Sequence, residues 1–346
     1  QSSTRADDIN QGSSAHGGDG VLVLVPGSQF SSTYINTEGG DGGKSTTTTE
    51  TRINISATAD GGAGVWFDGS STFSVNGGRA IGGNGGEATG TSSETLETGA
   101  LIVSRGGGGF DLEGVNGGSF FTDLLASGGE GGTSVQNGDH GVTTGRVNDD
   151  GVLVDFGSIY AMGGDGLNID TSSGAIEAEG IFSGGRGGFS QAKGAGTGDS
   201  IAHGGFGIDN NGSATITAQG SFVGADGGYA FLDTSLAEYN PILDEDETGD
   251  AITFGGDGIR SALIANGGIF SGGNGGSSEI KSGPGTAIST GGNGATVSGV
   301  STINDGDFTG GRGGSAISSD GTADASGGDG ISANGGTLTI NDGTFQ

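Results

Sequence analysis

Residues 327–345 read GGDGISANGGTLTINDGTF. A Gly-Gly-x-Gly string stands before an apolar residue, Ile331. The run Thr337-Leu-Thr-Ile340 alternates polar and apolar residues, which reads as a half-buried strand. Asn334-Gly335 and Asp342-Gly343 read as turns, and Gly343-Thr-Phe345 closes the stretch.

Each signal recurs. Gly-Gly-x-Gly before an apolar residue starts at Gly17, Gly61, Gly106, Gly163, Gly204, Gly255, Gly291 and Gly327, at intervals of 44, 45, 57, 41, 51, 36 and 36 residues. A second string, Gly-Gly-x-Gly-Gly, starts at Gly39, Gly82, Gly128, Gly184, Gly272 and Gly310, with GADGG at Gly224. Short strands between glycine turns at a fixed period predict an all-β fold, a parallel β-helix (β-solenoid) of about eight Gly-rich repeats of 36–57 residues. Right-handed winding is expected for repeats of such uneven length. The shortest interval, 36, leaves open one wide coil or two of roughly 18 residues each. Residues 1–16 read as an N-terminal extension. Residues 17–346 read as a single solenoid domain with loop excursions near 136–152 and 233–250.

If rungs stack about 4.8 Å apart, like residues lie over like. The Gly-x-Phe signal then predicts a ladder of Phe120, Phe182, Phe222, Phe270, Phe308 and Phe345. The glycines are expected to serve corners, which need positive φ and where neighbouring coils bring backbones close. In the second string the middle residue places Arg186 between Glu130 and Asp226, a favourable charge order for stacked rungs.

The segment 327–345 resembles the GGxI…FxxN repeats of the chlamydial polymorphic membrane proteins, and more widely the parallel β-helices of autotransporter passengers and bacterial adhesins. Glycine stands where that family has asparagine after the Phe (Gly184, Gly272, Gly310), and the chain has no cysteine. The resemblance implies a secreted surface β-helix and names no binding partner.

Composition narrows the function. Glycine supplies 85 of 346 residues, and 41 acidic against 11 basic residues give a net charge of −30, so a phosphate-binding surface for nucleic acid is excluded. With Cys 0, disulfide scaffolds and thiolate chemistry are excluded too. No apolar run approaches the ~20 residues of a membrane helix. A start at QSSTRADD without methionine suggests an exported, extracellular chain after signal removal.

Few residues suggest a site. Asp244, Glu245, Asp246, Glu247 and Asp250 are the candidate Ca2+ ligands, because crowded carboxylates need solvent or a hard cation. No other cofactor is expected. GGDGLNID at 163–170 partly matches the GGxGxD calcium repeat but lacks tandem copies, so its aspartates read as turn formers. Asn54 and Asn211 head the sequons Asn54-Ile-Ser56 and Asn211-Gly-Ser213, candidate glycosylation sites. His16, His140 and His203 are too scattered for a catalytic set. Trp66 and the tyrosines (Tyr34, Tyr160, Tyr229, Tyr239) fall in no ladder, so no enzyme is expected.

A terminal repeat that ends in mid-pattern, without chemistry, points first to a secreted structural protein stacking head-to-tail with itself into an extracellular filament. A monomeric adhesin or passenger-type rod, presenting its excursions to a cell surface or polysaccharide, is the alternative. A polysaccharide-active β-helix enzyme is the third reading.

Overall fold

The computed structural model describes residues 10–24, 29–49, 54–92, 100–138, 144–147, 153–156, 158–194, 198–234 and 249–346. Among them the chain is all β, and no helix is long and apolar enough to cross a membrane. The second repeat illustrates the path. Asn54–Asp60 runs into Gly61-Gly62, then Val65–Ser71 and Phe73–Ile81, then Gly82-Gly83, then Glu87–Ser92, and the chain returns at Ala100–Arg105.

Every return adds a parallel strand to the same sheet. Asn54–Asp60 lies in an eight-stranded sheet between Asn10–His16 and Ala100–Arg105. Val65–Ser71 and Phe73–Ile81 belong to an 18-stranded sheet, and Glu87–Ser92 to a seven-stranded one. Partner offsets repeat the sequence intervals: Asn10 meets Asn54, Ile102 meets Ile159 and Ala251 meets Ala287. One repeat therefore makes one rung in each sheet, which settles the choice between one wide passage and two small ones. Residues 10–16, read above as an extension, are the first strand of the eight-stranded sheet, so the boundary at 16 does not hold.

Two cores result. The 18-stranded sheet curls around Phe, Ile, Leu and Val side chains, including Phe67, Phe110, Phe182 and Phe270. The eight- and seven-stranded sheets face each other through small residues such as Ala57, Ala88, Ala192, Ala202 and Ala287. Buried hydroxyls bridge the two: Ser190 Oγ donates to the Ile159 carbonyl at 2.8 Å and Thr47 Oγ1 to that of Ser56 at 2.7 Å.

The glycine strings sit between these cores, so they form a waist and not outer corners. Gly40 N–H donates to the Gly18 carbonyl, Gly62 to Gly40, Gly83 to Gly62 and Gly107 to Gly83. The alternation of first and second string continues to Gly328, making fourteen bonds of 2.7–3.0 Å among the described residues. None of these glycines has positive φ, contrary to one expectation. What demands glycine is proximity, since a Cβ on Gly83 would lie 2.1 Å from the Gly40 carbonyl oxygen. Ala225, the one substitution in the column, has the longest bond, 3.0 Å to Gly205. Positive φ belongs instead to the glycine of Gly-x-Phe, as at Gly180 (143°) and Gly220 (140°), which lie in register.

That register carries the phenylalanine ladder. Phe182, Phe222, Phe270, Phe308 and Phe345 are consecutive partners, with ring centroids 4.4–5.6 Å apart. Phe120 does not belong to it. The position opposite Phe182 is Ala126, and opposite Ala126 is Ala80. Gly118-Ser-Phe120 lies at the start of its strand, before a register shift at Asp123 (φ 49°), and Phe120 points outward. Phe121 is buried instead, edge-on to Phe182 at 6.3 Å. The room left over Ala80 and Ala126 is filled by Phe67, Phe73, Phe110 and Phe121.

Most of the unevenness in the intervals also has one location. Connections from the seven- to the eight-stranded sheet vary from residues 319–321 to residues 138–158. The latter includes an antiparallel pair, Thr144–Val147 with Leu153–Phe156. The excursions thus begin after Asn137 and Asp233; Gln136 is buried within its strand.

Two substitution pairs test this packing by thermal and urea unfolding. Gly83→Ala should cost about 3 kcal/mol or more, while Gly18→Ala, where a Cβ meets nothing within 4 Å, should be near neutral. Phe121→Ala should cost about 3–5 kcal/mol and Phe120→Ala far less.

Candidate functional site

The waist leaves a crease on the outside where the eight-stranded sheet hands over to the 18-stranded one. Three columns line it. The strand ends of the eight-stranded sheet supply Asp60, Arg105, Met162 and His203 in register. The first outward residue of the next strand supplies Trp66, Asp111, Asn168, Asp209, Arg260 and Thr296. Between them the third residue of Gly-Gly-x-Gly forms the floor: Ala63, Gly108, Asp165, Phe206 and Asp257. Along the middle of the crease, from Arg105 and Asp111 to Arg260 and Thr296, lies a groove of about 860 Å³.

Its carboxyls form a zigzag. Asp111, Asp165, Asp209 and Asp257 come from four successive repeats and alternate between the outer column and the floor. Each has a hydrogen-bond donor. Asp165 Oδ1 accepts the Phe206 N–H at 2.7 Å and Asp257 Oδ1 the Asn293 N–H at 2.6 Å. Asp111 accepts the Gly108 N–H, and a Cβ on Gly108 would lie 2.3 Å from its Oδ1. Asp209, 5% exposed, takes Arg260 Nε at 2.7 Å and Nη2 at 2.6 Å. The guanidinium also lies over the Phe206 ring, 4.4 Å from its centroid.

Burial dominates the electrostatics. It pushes Asp111 up to about 6, against the Gly108 and Asn168 hydrogen bonds, with Asp170 and Asp19 adding repulsion. Burial, then the neighbouring Asp209, raises Asp165 well above the usual carboxylate range. Asp257 and Asp60 are raised for the same first reason. His203, between the rings of Phe206 and Phe254, is lowered to about 4 by burial and is neutral at pH 7. At the end of the groove Asp60 Oδ1 and Arg105 Nε are buried without a hydrogen-bond partner.

The residues singled out from sequence fall elsewhere. Asp244, Glu245, Asp246 and Glu247 lie outside the described residues. Asp250 joins rungs: its Oδ1 accepts the Thr286 N–H at 2.7 Å, and its own N–H donates to Asp199 Oδ1 at 2.8 Å. Asp41, Asn84, Asp226 and Asn274 do the same at the second glycine string. Among the described residues the ion pairs are His16–Asp60, Lys44–Glu87, Arg260–Asp209 and Lys281–Asp233, so Arg186 pairs with neither Glu130 nor Asp226. Backbone capping by short side chains takes the role given above to charge order. No group of three or more His, Asp or Glu among the described residues is arranged to hold a metal ion.

Asn54 opens the strand Asn54–Asp60 opposite Asn10. Asn211 is exposed at the groove rim, its Oδ1 3.4 Å from Arg260 Nη2. Tyr229, placed in no ladder above, stacks in register on Phe189 at 5.5 Å, and its hydroxyl donates to Glu279 Oε2 at 2.5 Å. The groove itself was missed. Its signal is the residue after the apolar position of each Gly-Gly-x-Gly string, legible once the repeats are aligned on that string.

No protein-family model, no curated protein and no solved structure matches this chain.

The raised carboxyls set the pH dependence of stability. Protonated Asp111 contributes fully below its ordinary value of 3.8, and that contribution is lost as pH rises through about 6. Asp165, Asp257 and Asp60 act in the same direction. His203 opposes them: its contribution is present above 6.5 and lost as pH falls through about 4. The melting temperature should therefore be higher at about pH 5 than at about pH 8, and Asp111→Asn should flatten that slope.

Proposed function

We propose that the chain is a right-handed parallel β-helix serving as an extracellular, surface-exposed binding rod, and that its lateral groove takes an extended polysaccharide. Parallel pairing at repeat-length offsets supports the β-helix, and the general right-handedness of parallel crossovers supports its hand. Lack of cysteine and a net charge of −30 suit an exposed, soluble rod. The observation that carries the function is the groove, which runs along successive rungs and offers polar side chains from each, with a carboxyl in each of several successive repeats, as an extended polymer needs. Binding without turnover is the reading, so the rod is not proposed as an enzyme.

Head-to-tail stacking into a filament has less behind it.

Affinity electrophoresis of the whole chain against immobilised polysaccharides tests the binding reading. Asn168→Trp, which fills the groove between Asp111 and Asp209, should abolish retardation, and deletion of 235–248 should leave it intact. Retardation that follows the deletion instead, or none on any polysaccharide, would overturn it.

A further inference from the structure

We propose that the groove binds a linear chain of amino sugars, with the ammonium groups of successive rings facing the carboxyls of successive repeats. The proposal rests on the reading of the groove as a polysaccharide site and adds the chemical class of its ligand.

Three observations lead to it. The first is spacing. Asp111, Asp165 and Asp209 are spread one per rung, so they do not converge on a single ion. A rung of ~4.8 Å is close to the length of one pyranose ring in an extended chain, which matches one cationic group per rung.

The second is a cation that the groove already holds. Arg260 reaches in from the sixth repeat, clamps Asp209 through two hydrogen bonds and rests on the face of Phe206. Carboxylate on one side and aromatic face on the other make a cation station, occupied by the protein's own side chain. One and two rungs away, Asp165 and Asp111 have backbone and amide donors but form no ion pair among the described residues, although the Arg260 charge also reaches Asp165.

The third is a donor left over. Arg105 lines the groove beside the next rung, and its Nε has no hydrogen-bond partner. A sugar chain continuing past Asp111 would bring hydroxyl oxygens to this end, acceptors for that donor. A wholly anionic polymer would meet the Asp zigzag unfavourably, and a wholly neutral one would bring nothing to stabilise the ionised carboxylates that burial disfavours.

Titration calorimetry of the full chain tests this with three probes: a hexamer of β-1,4-linked glucosamine, its N-acetylated counterpart, and spermine. The glucosamine hexamer should bind, and its affinity should fall as salt is raised to about 300 mM. The acetylated hexamer should bind at least about tenfold more weakly. Asp111→Asn and Asp165→Asn retain an acceptor for their backbone donors, so both should fold. Each should weaken the glucosamine hexamer about tenfold, while Asp226→Asn at the second glycine string should change nothing. Equal binding of the acetylated hexamer, abolished by Asn168→Trp, would overturn the ammonium assignment and keep the polysaccharide reading. Spermine binding as tightly as the hexamer would overturn the sugar assignment. Failure of both hexamers to bind would overturn the proposal outright.

Discussion

Two passages of backbone cross the middle of every repeat, and they come so close that, Ala225 apart, every α-carbon of the column carries only hydrogen. In exchange each passage satisfies an N–H and a C=O of the other, so a region that could hold no side chains still has its polar groups paired. Everything else is arranged around that column. It divides the interior into an aromatic-aliphatic core and an alanine-serine core, fixes where each strand starts, and creates the crease in which the polar groove lies. Glycine is costly in an ordinary strand because it gives up so much chain entropy. A quarter of the residues carry that cost here, and the returns are backbone hydrogen bonds and two packed cores.

The parallel all-β organisation was legible because it is written in translation: residues 36 to 57 positions apart play the same part, and an interval in the sequence is an offset in the sheet. The phenylalanine ladder was legible from Phe182 onward for the same reason. It failed at Phe120 because a three-letter motif also arises by chance, and because volume can be conserved without conserving position. Ala80 and Ala126 hold the ladder site in two repeats, and phenylalanines elsewhere on the same strands and on neighbouring ones cluster in that part of the core. No local pattern announces that exchange.

The glycine strings show a subtler gap. Their need for glycine was evident, but their place was not. A tight outer corner and a pinched waist leave the same trace in one repeat, and only contact with the other passage separates them. The groove was hidden likewise. Asp111, Asn168, Asp209 and Arg260 differ in type, so nothing marks them as a set until the register lines them up. The conspicuous run Asp244–Glu247 drew attention by density, whereas Asp165, Asp209 and Asp250 proved informative through burial and hydrogen bonding.

Most variation in repeat length falls at a single junction, between the seven- and eight-stranded sheets. Closing a longer loop there costs little, since the entropy grows only with the logarithm of its length. Material inserted into different repeats must therefore emerge along one edge, in single file, at intervals set by strand spacing. That edge is a natural display rim: peptides grafted into neighbouring repeats would stand side by side with fixed order, while the opposite edges stayed bare.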